Sequence, residues 1–295
     1  NKEKFSVVSN PEFLREGEAI RDFTYPDRIV IGGDNLEACK KLANLYKPLS
    51  RKADKMFFTS VHSAELIKYA ANSFLATKIS FINEMAEIAE NFNADINDVR
   101  LGIGLDPRIG KDFLYAGLGY GGSCFPKDTL ALVKTAEQHS SVLSIVDAVV
   151  GYNQARKIAM ADRVIAAMGG SVAGAKIAIL GLAFKPETDD MRDSPSLDII
   201  DALTKAGAVL RAYDPKAMEE ACHLLPQDVT FCDSATDCLN GTDAAVIVTE
   251  WNEFRALTPA QFAAAMGGRV LVDLRNVFEP DAMQGAGFTY LSIGR

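Results

Sequence analysis

The second half of the chain alternates short, continuously apolar segments with segments of helical pattern. The apolar segments are residues 176–184, 208–213, 244–249 and 270–273, and the clearest helical segment between them is 196–205. None of the apolar runs has the polar alternation of a half-exposed strand, so each predicts a strand that is covered on both faces. Strands of this kind joined by helices form a parallel sheet. We therefore expect an α/β fold with a doubly wound, Rossmann-like C-terminal domain over residues 173–295.

Ligands of doubly wound sheets bind beyond the carboxyl ends of the strands. This rule points to Phe184 and Lys185 after the first strand and to Arg275 after a later one. A lysine and an arginine at that edge suit a phosphate or diphosphate. The same residues are equally compatible with charges on a solvated loop, and the pattern leaves that alternative open.

The middle of the chain has a helical pattern. Residues 64–91 contain neither proline nor glycine, and their apolar positions recur at spacings of three and four. A second segment of this kind runs from 142 to 168, and the glycine-rich stretch 169–174 follows it. We therefore expect an all-helical central domain over residues 57–172. Alanines and aliphatic residues cover much of the second long helix, which predicts packing against a partner chain.

The first 56 residues have the pattern of a small α/β segment, with a strand at 27–33 and a helix at 36–46. Before them, Asn10 and Pro11 are typical of a helix start and predict a capped helical turn over 10–17. That turn places Glu12 and Glu16 on one face. Such a pair is either a solvated acidic surface or two carboxylates that serve acid–base chemistry.

A glycine-rich loop, residues 117–122, leads to a single cysteine at the start of a predicted helix. Glycines allow a backbone to approach a ligand closely, and their amides can face an anion. Pro126 and the amphipathic run after it predict that a helix begins near Cys124, so the helix dipole and Lys127 favour the thiolate that a nucleophile needs. Asp128 lies one turn further and is placed to handle a proton at the same centre. The alternative is a buried structural cysteine beside a tight turn.

Composition limits the class of protein. The 295 residues carry a net charge of −8, with 48% hydrophobic and 24% charged residues, which is ordinary for a globular protein. The negative charge argues against nucleic acid or an anionic membrane as the main partner, and no apolar run reaches the roughly 18 residues of a membrane-spanning helix. Five cysteines without CxxC spacing and three scattered histidines predict neither a disulfide framework nor a metal site. We therefore expect a cytoplasmic protein.

Four motifs, in this order along the chain, resemble the UDP-glucose/GDP-mannose dehydrogenase family. They are Asn10-Pro-Glu-Phe-Leu-Arg-Glu-Gly17, Lys68-xxx-Asn72, Gly119-Tyr-Gly-Gly-Ser-Cys-Phe-Pro-Lys-Asp128 and Gly181-Leu-Ala-Phe-Lys185. The resemblance covers essentially the whole chain. Family members begin with a Rossmann domain that carries a glycine-rich dinucleotide fingerprint, and no such strand-associated fingerprint occurs here. We therefore expect residues 1–56 to be the remnant of an N-terminal NAD-binding domain.

The resemblance implies a four-electron oxidation of UDP-glucose to UDP-glucuronate with NAD as cofactor. Cys124 would add to the intermediate aldehyde and carry a thiohemiacetal and then a thioester. Lys68 and Asn72 would stabilise the oxyanion, and Asp128 would act with Lys68 in proton transfer. Helical spacing alone is equally consistent with Lys68 and Asn72 facing solvent.

The resemblance also implies a set of binding residues. For the substrate they are Glu12, Phe13, Leu14, Arg15, Glu16, Lys68, Asn72, Arg108, Phe113, Leu114, Tyr115, Ala116, Gly117, Gly121, Phe184, Lys185 and Arg275. Lys127, Arg192 and Glu16 would face the NAD, and either Glu12 or Glu16 would activate the hydrolytic water. Arg108 would reach the active site of the neighbouring subunit, which makes a homodimer necessary for activity.

Two alternatives stay open at this point. The substrate is GDP-mannose in the first, although Phe125 and the motif at 10–17 favour the UDP sugar. In the second, the chain is an inactive nucleotide-sugar-binding and dimerisation fragment, because the expected NAD-binding domain is incomplete.

Overall fold

The computed structural model describes residues 5–49 and 55–295. Two compact units, Asn1–Phe74 and Leu75–Arg295, divide the chain. The elements that begin in the first unit are β1 (Val8–Ser9), α1 (Ala19–Thr24), β2 (Ile29–Gly33), α2 (Leu36–Tyr46), a 3-10 turn (Lys47–Leu49), β3 (Met56–Thr59) and α3 (Val61–Phe92). The sheet order is β1-β2-β3, with β1 antiparallel and β3 parallel to β2. The strand predicted at 27–33 and the helix predicted at 36–46 are confirmed.

The helical turn predicted at 10–17 is wrong. Residues 10–15 have no regular secondary structure, and α1 begins only at Ala19. Instead of capping a helix, Asn10 donates from Nδ2 to the Val30 carbonyl at 2.7 Å, and its Oδ1 accepts from the Tyr46 hydroxyl at 2.6 Å. These long-range bonds use the side chain that a cap would have needed.

The second unit begins within α3 and continues with three further long or medium helices. They are α4 (Ile96–Gly104), α5 (Phe125–Gln138) and α6 (Ser144–Ala167). The 32 residues of α3 correspond to a length of about 48 Å. Both long helices predicted from periodicity are confirmed. Ile82 and Ala86 of α3 and Val164 of α6 pack into the same core as the strands that follow.

A six-stranded sheet forms the rest of the second unit. Its elements are β4 (Lys176–Leu180), α7 (Pro195–Lys205), β5 (Val209–Tyr213), α8 (Met218–Leu224), β6 (Thr230–Phe231), α9 (Ala235–Leu239), β7 (Ala244–Ile247), α10 (Asn252–Arg255), α11 (Pro259–Ala265), β8 (Val270–Asp273), α12 (Pro280–Gly285) and β9 (Thr289–Leu291). The strand order is β6-β5-β4-β7-β8-β9 and every neighbouring pair is parallel. This is the order 3-2-1-4-5-6 of a doubly wound fold, so the predicted fold class is confirmed.

The sheet topology places a crevice between two central strands. The chain leaves β4 in one direction towards β5 and returns later to β7 on the other side, so the switch point lies where β4 and β7 end. Both strands are buried along almost their whole length, as expected for a sheet covered on two faces. Across residues 5–49 and 55–295, none of the helices combines the length and apolarity needed to cross a membrane. The domain boundaries at 56/57 and 172/173 stay predictions.

Candidate active site

Cys124 lies immediately before the first residue of α5. Its Sγ is 3.5 Å from the Ser123 hydroxyl, and the residue is partly exposed. Pro126 occupies the first turn of the helix, where its missing N–H costs nothing. The Asp128 amide donates to the Cys124 carbonyl at 2.9 Å, so the predicted separation of one helical turn is confirmed. The thiol therefore stands at the positive end of the α5 dipole, where negative charge is favoured.

Asp128 and Lys127 form an ion pair next to this thiol. The Asp128 side chain is 3% exposed and that of Lys127 is 69% exposed. A buried carboxylate paired with a cation remains charged at lower cost than an isolated one. The start of α5 therefore holds a thiol, an exposed ammonium group and a buried carboxylate within the five residues from Cys124 to Asp128.

The first glycine of the loop before Cys124 is held by two buried polar side chains. The Gly117 amide donates to Asn83 Oδ1 of α3 at 2.8 Å, and the Gly117 carbonyl accepts from Arg156 Nε of α6 at 2.9 Å. Arg156 Nη1 also donates to the Asn83 carbonyl at 3.3 Å and to Glu87 Oε1 at 2.5 Å. Both polar groups of the Gly117 peptide are thus satisfied by side chains from two long helices.

Asn153 holds the middle of the same loop. Its Oδ1 accepts from the Tyr120 amide at 2.8 Å, and its Nδ2 donates to the Tyr120 carbonyl at 3.0 Å. The φ angle of Gly119 is +109°, and a β-carbon there would lie 2.8 Å from Asn153 Oδ1. Glycine is therefore required at 119 by both its backbone conformation and the space available.

A second loop, residues 190–195, packs against the glycine-rich loop. The Gly122 amide donates to the Arg192 carbonyl at 2.8 Å, and a β-carbon on Gly121 would lie 2.3 Å from the Asp193 carbonyl oxygen. The Lys157 ammonium of α6 donates to that same oxygen at 2.9 Å. Burial lowers the pKa of Lys157, although the nearby Asp198 and Asp193 oppose the shift. One face of α6 therefore fixes both loops.

Arg275 connects the sheet switch point with the glycine-rich loop. Its Nε donates to the Val248 carbonyl after β7 at 2.8 Å, and its Nη2 donates to the Phe184 carbonyl after β4 at 3.0 Å. A β-carbon on Gly117 would lie 3.7 Å from Arg275 Nη1, and one on Gly122 would lie 2.7 Å from the Phe184 ring. Three predicted site residues, Gly117, Phe184 and Arg275, and Gly122 next to the predicted Gly121 therefore meet at the carboxyl edge of the sheet.

The segment that carries Phe184 is anchored by buried hydrogen bonds. Asp214, at the end of β5, accepts from the Leu182 and Ala183 amides at 2.7 and 3.1 Å and from Trp251 Nε1 at 3.0 Å. Ser194 donates its hydroxyl to the Leu182 carbonyl at 2.7 Å. An acidic residue in this position contacts the ribose in many dinucleotide-binding folds, but here its carboxylate is occupied by protein donors.

The first unit contributes a separate group of predicted residues. Lys68 Nζ donates to Glu12 Oε1 at 2.9 Å and to the Glu12 carbonyl at 2.7 Å. The same ammonium lies 5.6 Å from the centre of the Phe13 ring, which Arg28 covers at 3.9 Å. Asn72, one turn after Lys68 on α3, is buried. The side chain of Lys68 is only 17% exposed. The solvent-facing alternative therefore does not hold for Lys68 or Asn72.

Several predicted binding residues have local roles or exposed positions. Arg15 forms an ion pair with Asp22, and Arg108 forms one with Asp106 while 87% of its side chain is exposed. Tyr115 is exposed beneath the Arg100 guanidinium, which lies 4.4 Å from the ring centre. The other members of the predicted set are Leu14 at the surface, half-buried Glu16, Phe113 with a φ of +62°, buried Leu114, half-buried Ala116, Lys185 beside the Phe184 ring and exposed Arg192.

The buried polar side chains that hold the two loops were not predicted from the sequence. Asn83, Asn153, Arg156 and Lys157 are all buried, although asparagine, arginine and lysine are usually exposed. The available signal was the spacing of the last three on α6, which places them on one helical face. Alanines and aliphatic residues around them obscured that signal, because they favoured an apolar contact surface instead.

Comparison with known proteins gives consistent matches along the chain. Residues 1–50, 62–155 and 178–280 match, respectively, the NAD binding domain, the central domain and the UDP binding domain of the UDP-glucose/GDP-mannose dehydrogenase family. The UDP-glucose 6-dehydrogenase of Rhizobium meliloti (strain 1021) is 52% identical over 292 residues, which are 98% of this chain and 67% of that protein. The UDP-glucose 6-dehydrogenase TuaD of Bacillus subtilis (strain 168) is 45% identical over 291 residues, which are 99% of this chain and 62% of that protein.

A solved structure gives the same result. The UDP-glucose dehydrogenase from the hyperthermophilic archaeon Pyrobaculum islandicum matches with a TM-score of 0.88 and 39% identity, over 98% of this chain and 63% of that one. The chain thus spans about two thirds of the length of the relatives it matches.

Proposed function

The chain belongs to the UDP-glucose/GDP-mannose dehydrogenase family, and we propose that it takes part in the NAD-dependent oxidation of UDP-glucose to UDP-glucuronate. The observation that carries the proposal is the partly exposed Cys124 thiol at the start of α5, directly after a glycine-rich loop whose backbone is held by buried side chains. UDP-glucose is preferred over GDP-mannose because the curated relatives of 43–52% identity carry the name UDP-glucose 6-dehydrogenase.

Cys124 is the nucleophile in this proposal. Oxidation of the sugar C6 alcohol gives an aldehyde, and the thiolate adds to its carbon to form a thiohemiacetal. Loss of a hydride from that carbon leaves a thioester, and water then cleaves the carbon–sulfur bond to release the carboxylate and the thiol. A thiol suits this sequence because its adduct can be oxidised and afterwards hydrolysed.

Polar and charged residues of the family motifs take the proton and oxyanion roles in this proposal. Lys68 and Asn72 stabilise the negative oxygen of the alkoxide and of the tetrahedral species, and Asp128 exchanges protons with Lys68 through water. Glu12 and Glu16 are both retained as candidates for activating the hydrolytic water. The Lys68–Glu12 ion pair at 2.9 Å supports Glu12, because it holds this carboxylate beside the ammonium group that is proposed to stabilise the oxyanion.

The exposed cations near Cys124 suit a dinucleotide. Lys127 in the first turn of α5 and Arg192 in the adjoining loop each have a side chain that is more than two-thirds exposed, and both would hold the NAD diphosphate. Glu16 is also proposed to contact the NAD, away from its anionic diphosphate. Bound NAD would supply the hydride acceptor for the two oxidation steps. A reducing cytoplasm is the compartment we propose, because the thiol must stay reduced to act.

The nucleotide sugar is assigned to the switch point of the large sheet. Phe184, Lys185 and Arg275 surround the ends of β4 and β7, and the guanidinium and ammonium groups suit a diphosphate. Residues 113–116 and Gly121 complete the proposed substrate site through their backbone groups. Gly117, whose amide and carbonyl are already bonded to Asn83 and Arg156, is proposed to border the site without donating or accepting there. Phe13, Leu14 and Arg15 are also proposed as substrate-binding residues.

We further propose a homodimer in which Arg108 serves the partner's site. Phe81, Ile88 and Phe92 are exposed at spacings of seven and four on α3, and Leu101 and Leu105 are exposed on and just after α4. An apolar stripe at this spacing is typical of a helix that packs against another helix. The exposed Arg108 lies three residues beyond Leu105 in the sequence.

Calorimetric titration of the 295-residue chain with UDP-glucose and, in parallel, GDP-mannose tests the proposal, followed by measurement of NADH formation with the preferred sugar. Tighter binding of UDP-glucose together with NADH formation is expected. Tighter binding of GDP-mannose would instead favour GDP-mannose as the substrate that is oxidised. Binding of UDP-glucose without NADH formation would favour the binding and dimerisation fragment.

Substitution of the nucleophile separates chemistry from binding. Cys124→Ser is expected to abolish formation of the acid while the affinity for UDP-glucose changes less than about threefold, since a hydroxyl replaces a thiol of similar size. Cys222→Ser is the matched control, because this exposed cysteine lies on α8 and is expected to retain both properties. Full turnover by Cys124→Ser would remove Cys124 from the nucleophile role.

A further inference from the structure

We propose that Asn153, Arg156 and Asn83 are positioning residues that set the backbone of the glycine-rich loop for ligand binding. The inference rests on the proposed function, since it assigns the placement of a proposed substrate-binding loop to side chains that are not themselves in the predicted site. All three side chains are buried, and none belongs to the substrate, cofactor or catalytic residues named above.

The hydrogen bonds of the three side chains are directed at two particular peptides. Asn83 and Arg156 occupy the amide and the carbonyl of Gly117, and Asn153 alone occupies both groups of Tyr120. A side-chain amide that both donates to and accepts from one residue fixes the rotation of that residue's backbone as well as its position. The loop is therefore held at two points, one before and one after Gly119.

This arrangement leaves other amides of the loop available to a ligand. In the described part of the chain, the Gly119 and Gly121 amides donate to no protein acceptor, while the Tyr120 peptide between them and the Gly122 amide after them are held. Two nearby amides with fixed directions are suited to an anionic group such as a diphosphate. A rigid frame of this kind lowers the entropy that the loop loses when the ligand binds.

The hydrogen bonds of Asn153 also influence the start of α5, through a contact between Tyr120 and Phe125. Tyr120 is buried, and its ring lies edge-on to Phe125 with 6.0 Å between ring centres. Phe125 is the first residue of α5 and directly follows Cys124. The Asn153 contact with Tyr120 therefore fixes the backbone on one side of the thiol and, through the two rings, the helix start on its other side.

The test compares two buried residues of the same helix. Asn153→Ala removes both bonds to Tyr120, whereas Val164→Ala, the matched control, removes core volume from α6 at a fully buried position in contact with the main core. Both variants are expected to lower the melting temperature. Only Asn153→Ala is expected to raise the dissociation constant for UDP-glucose, by about tenfold or more, because small displacements of a binding backbone are costly.

A second pair keeps the inference testable if Asn153→Ala does not fold. Asn83→Ala removes the acceptor for the Gly117 amide, and Asn83→Asp retains it next to the Arg156 guanidinium. Asn83→Ala is expected to weaken UDP-glucose binding about tenfold, and Asn83→Asp is expected to restore the affinity to within about threefold of the parent chain. Equal losses in the two Asn83 variants would overturn the inference.

Hydrogen exchange of peptides covering residues 117–124 distinguishes failure of the inference from failure of the proposed function. If the parent chain binds neither UDP-glucose nor GDP-mannose, the proposed function fails. The inference about the positioning residues is then tested by hydrogen exchange alone. Exchange in these peptides at least tenfold faster in Asn153→Ala than in Val164→Ala supports the inference. Equal exchange in the two variants, or equal affinity where the parent chain binds UDP-glucose, overturns it.

Discussion

A β-carbon added at Gly121 tests the contact between the glycine-rich loop and residues 190–195. It would lie 2.3 Å from the Asp193 carbonyl oxygen, whereas real β-carbons essentially never come closer than 3.0 Å. The two backbones must therefore separate by about 0.7 Å. A shift of that size lengthens the Gly122–Arg192 hydrogen bond from 2.8 Å to about 3.5 Å, which is too long for a normal bond.

Overpacking and the lost hydrogen bond together predict that Gly121→Ala lowers the free energy of unfolding by about 2–4 kcal/mol. Urea unfolding followed by tryptophan fluorescence measures this, because Trp251 is the single tryptophan and is buried in the second unit with its Nε1 bonded to Asp214. The reference variant is Gly151→Ala on α6, where an added β-carbon meets nothing within 4 Å. It is expected to gain about 0.5–1 kcal/mol from helix propensity. A change below about 0.5 kcal/mol for Gly121→Ala would refute the close contact.

Two further substitutions test ion pairs. Glu90 accepts from the Arg163 Nη atoms at 2.8 and 2.9 Å and from the Gly294 amide at 2.7 Å. Burial disfavours the charge, but these donors outweigh it and hold the pKa of Glu90 below its ordinary value of 4.5. Glu90→Gln is therefore expected to lower the free energy of unfolding by roughly 1–3 kcal/mol at pH 7. This deficit is constant above the ordinary pKa of Glu90 and shrinks as the pH falls through the lowered pKa of the folded protein. An unchanged deficit at pH 3 in denaturant titrations would contradict the ion pair. Lys68→Ala, which frees Glu12, is expected to lower NADH formation about 10²-fold, and a rate equal to that of the parent chain would contradict the oxyanion role.

Elements with a strong local pattern were predictable from the sequence. The helix over 64–91 and the strands of the large sheet were predicted because their apolar spacing or continuous burial extends over many residues. The start of α5 was predicted because Pro126 and the run after it signal a helix start without help from distant residues. These features also located Cys124 correctly at the positive end of a helix.

The misassigned segment at 10–17 depended on distant partners. Asn10 and Pro11 have the local pattern of a helix start, but the Asn10 side chain bonds to Val30 and Tyr46, 20 and 36 residues away. A single side chain cannot make these bonds and cap a helix at once, and the tertiary bonds prevail here. Local spacing therefore placed Glu12 on the wrong type of backbone, although its contact with Lys68 keeps it in the candidate site.

The same dependence on distance explains why the support of the thiol could not be predicted. The Cys124 thiol lies 3.5 Å from the hydroxyl of its chain neighbour Ser123, so this contact does not tie it to a distant part of the chain, and its position follows from the course of its backbone. That backbone is determined by Asn153 and Arg156, whose loop partners are 33 and 39 residues away. A buried polar residue whose donors and acceptors are all used is costly to replace. The residues that determine the geometry of the loop therefore lie on α6 and, in the case of Asn83, on α3, while the residues with recognisable chemistry lie on the loop and at the start of α5.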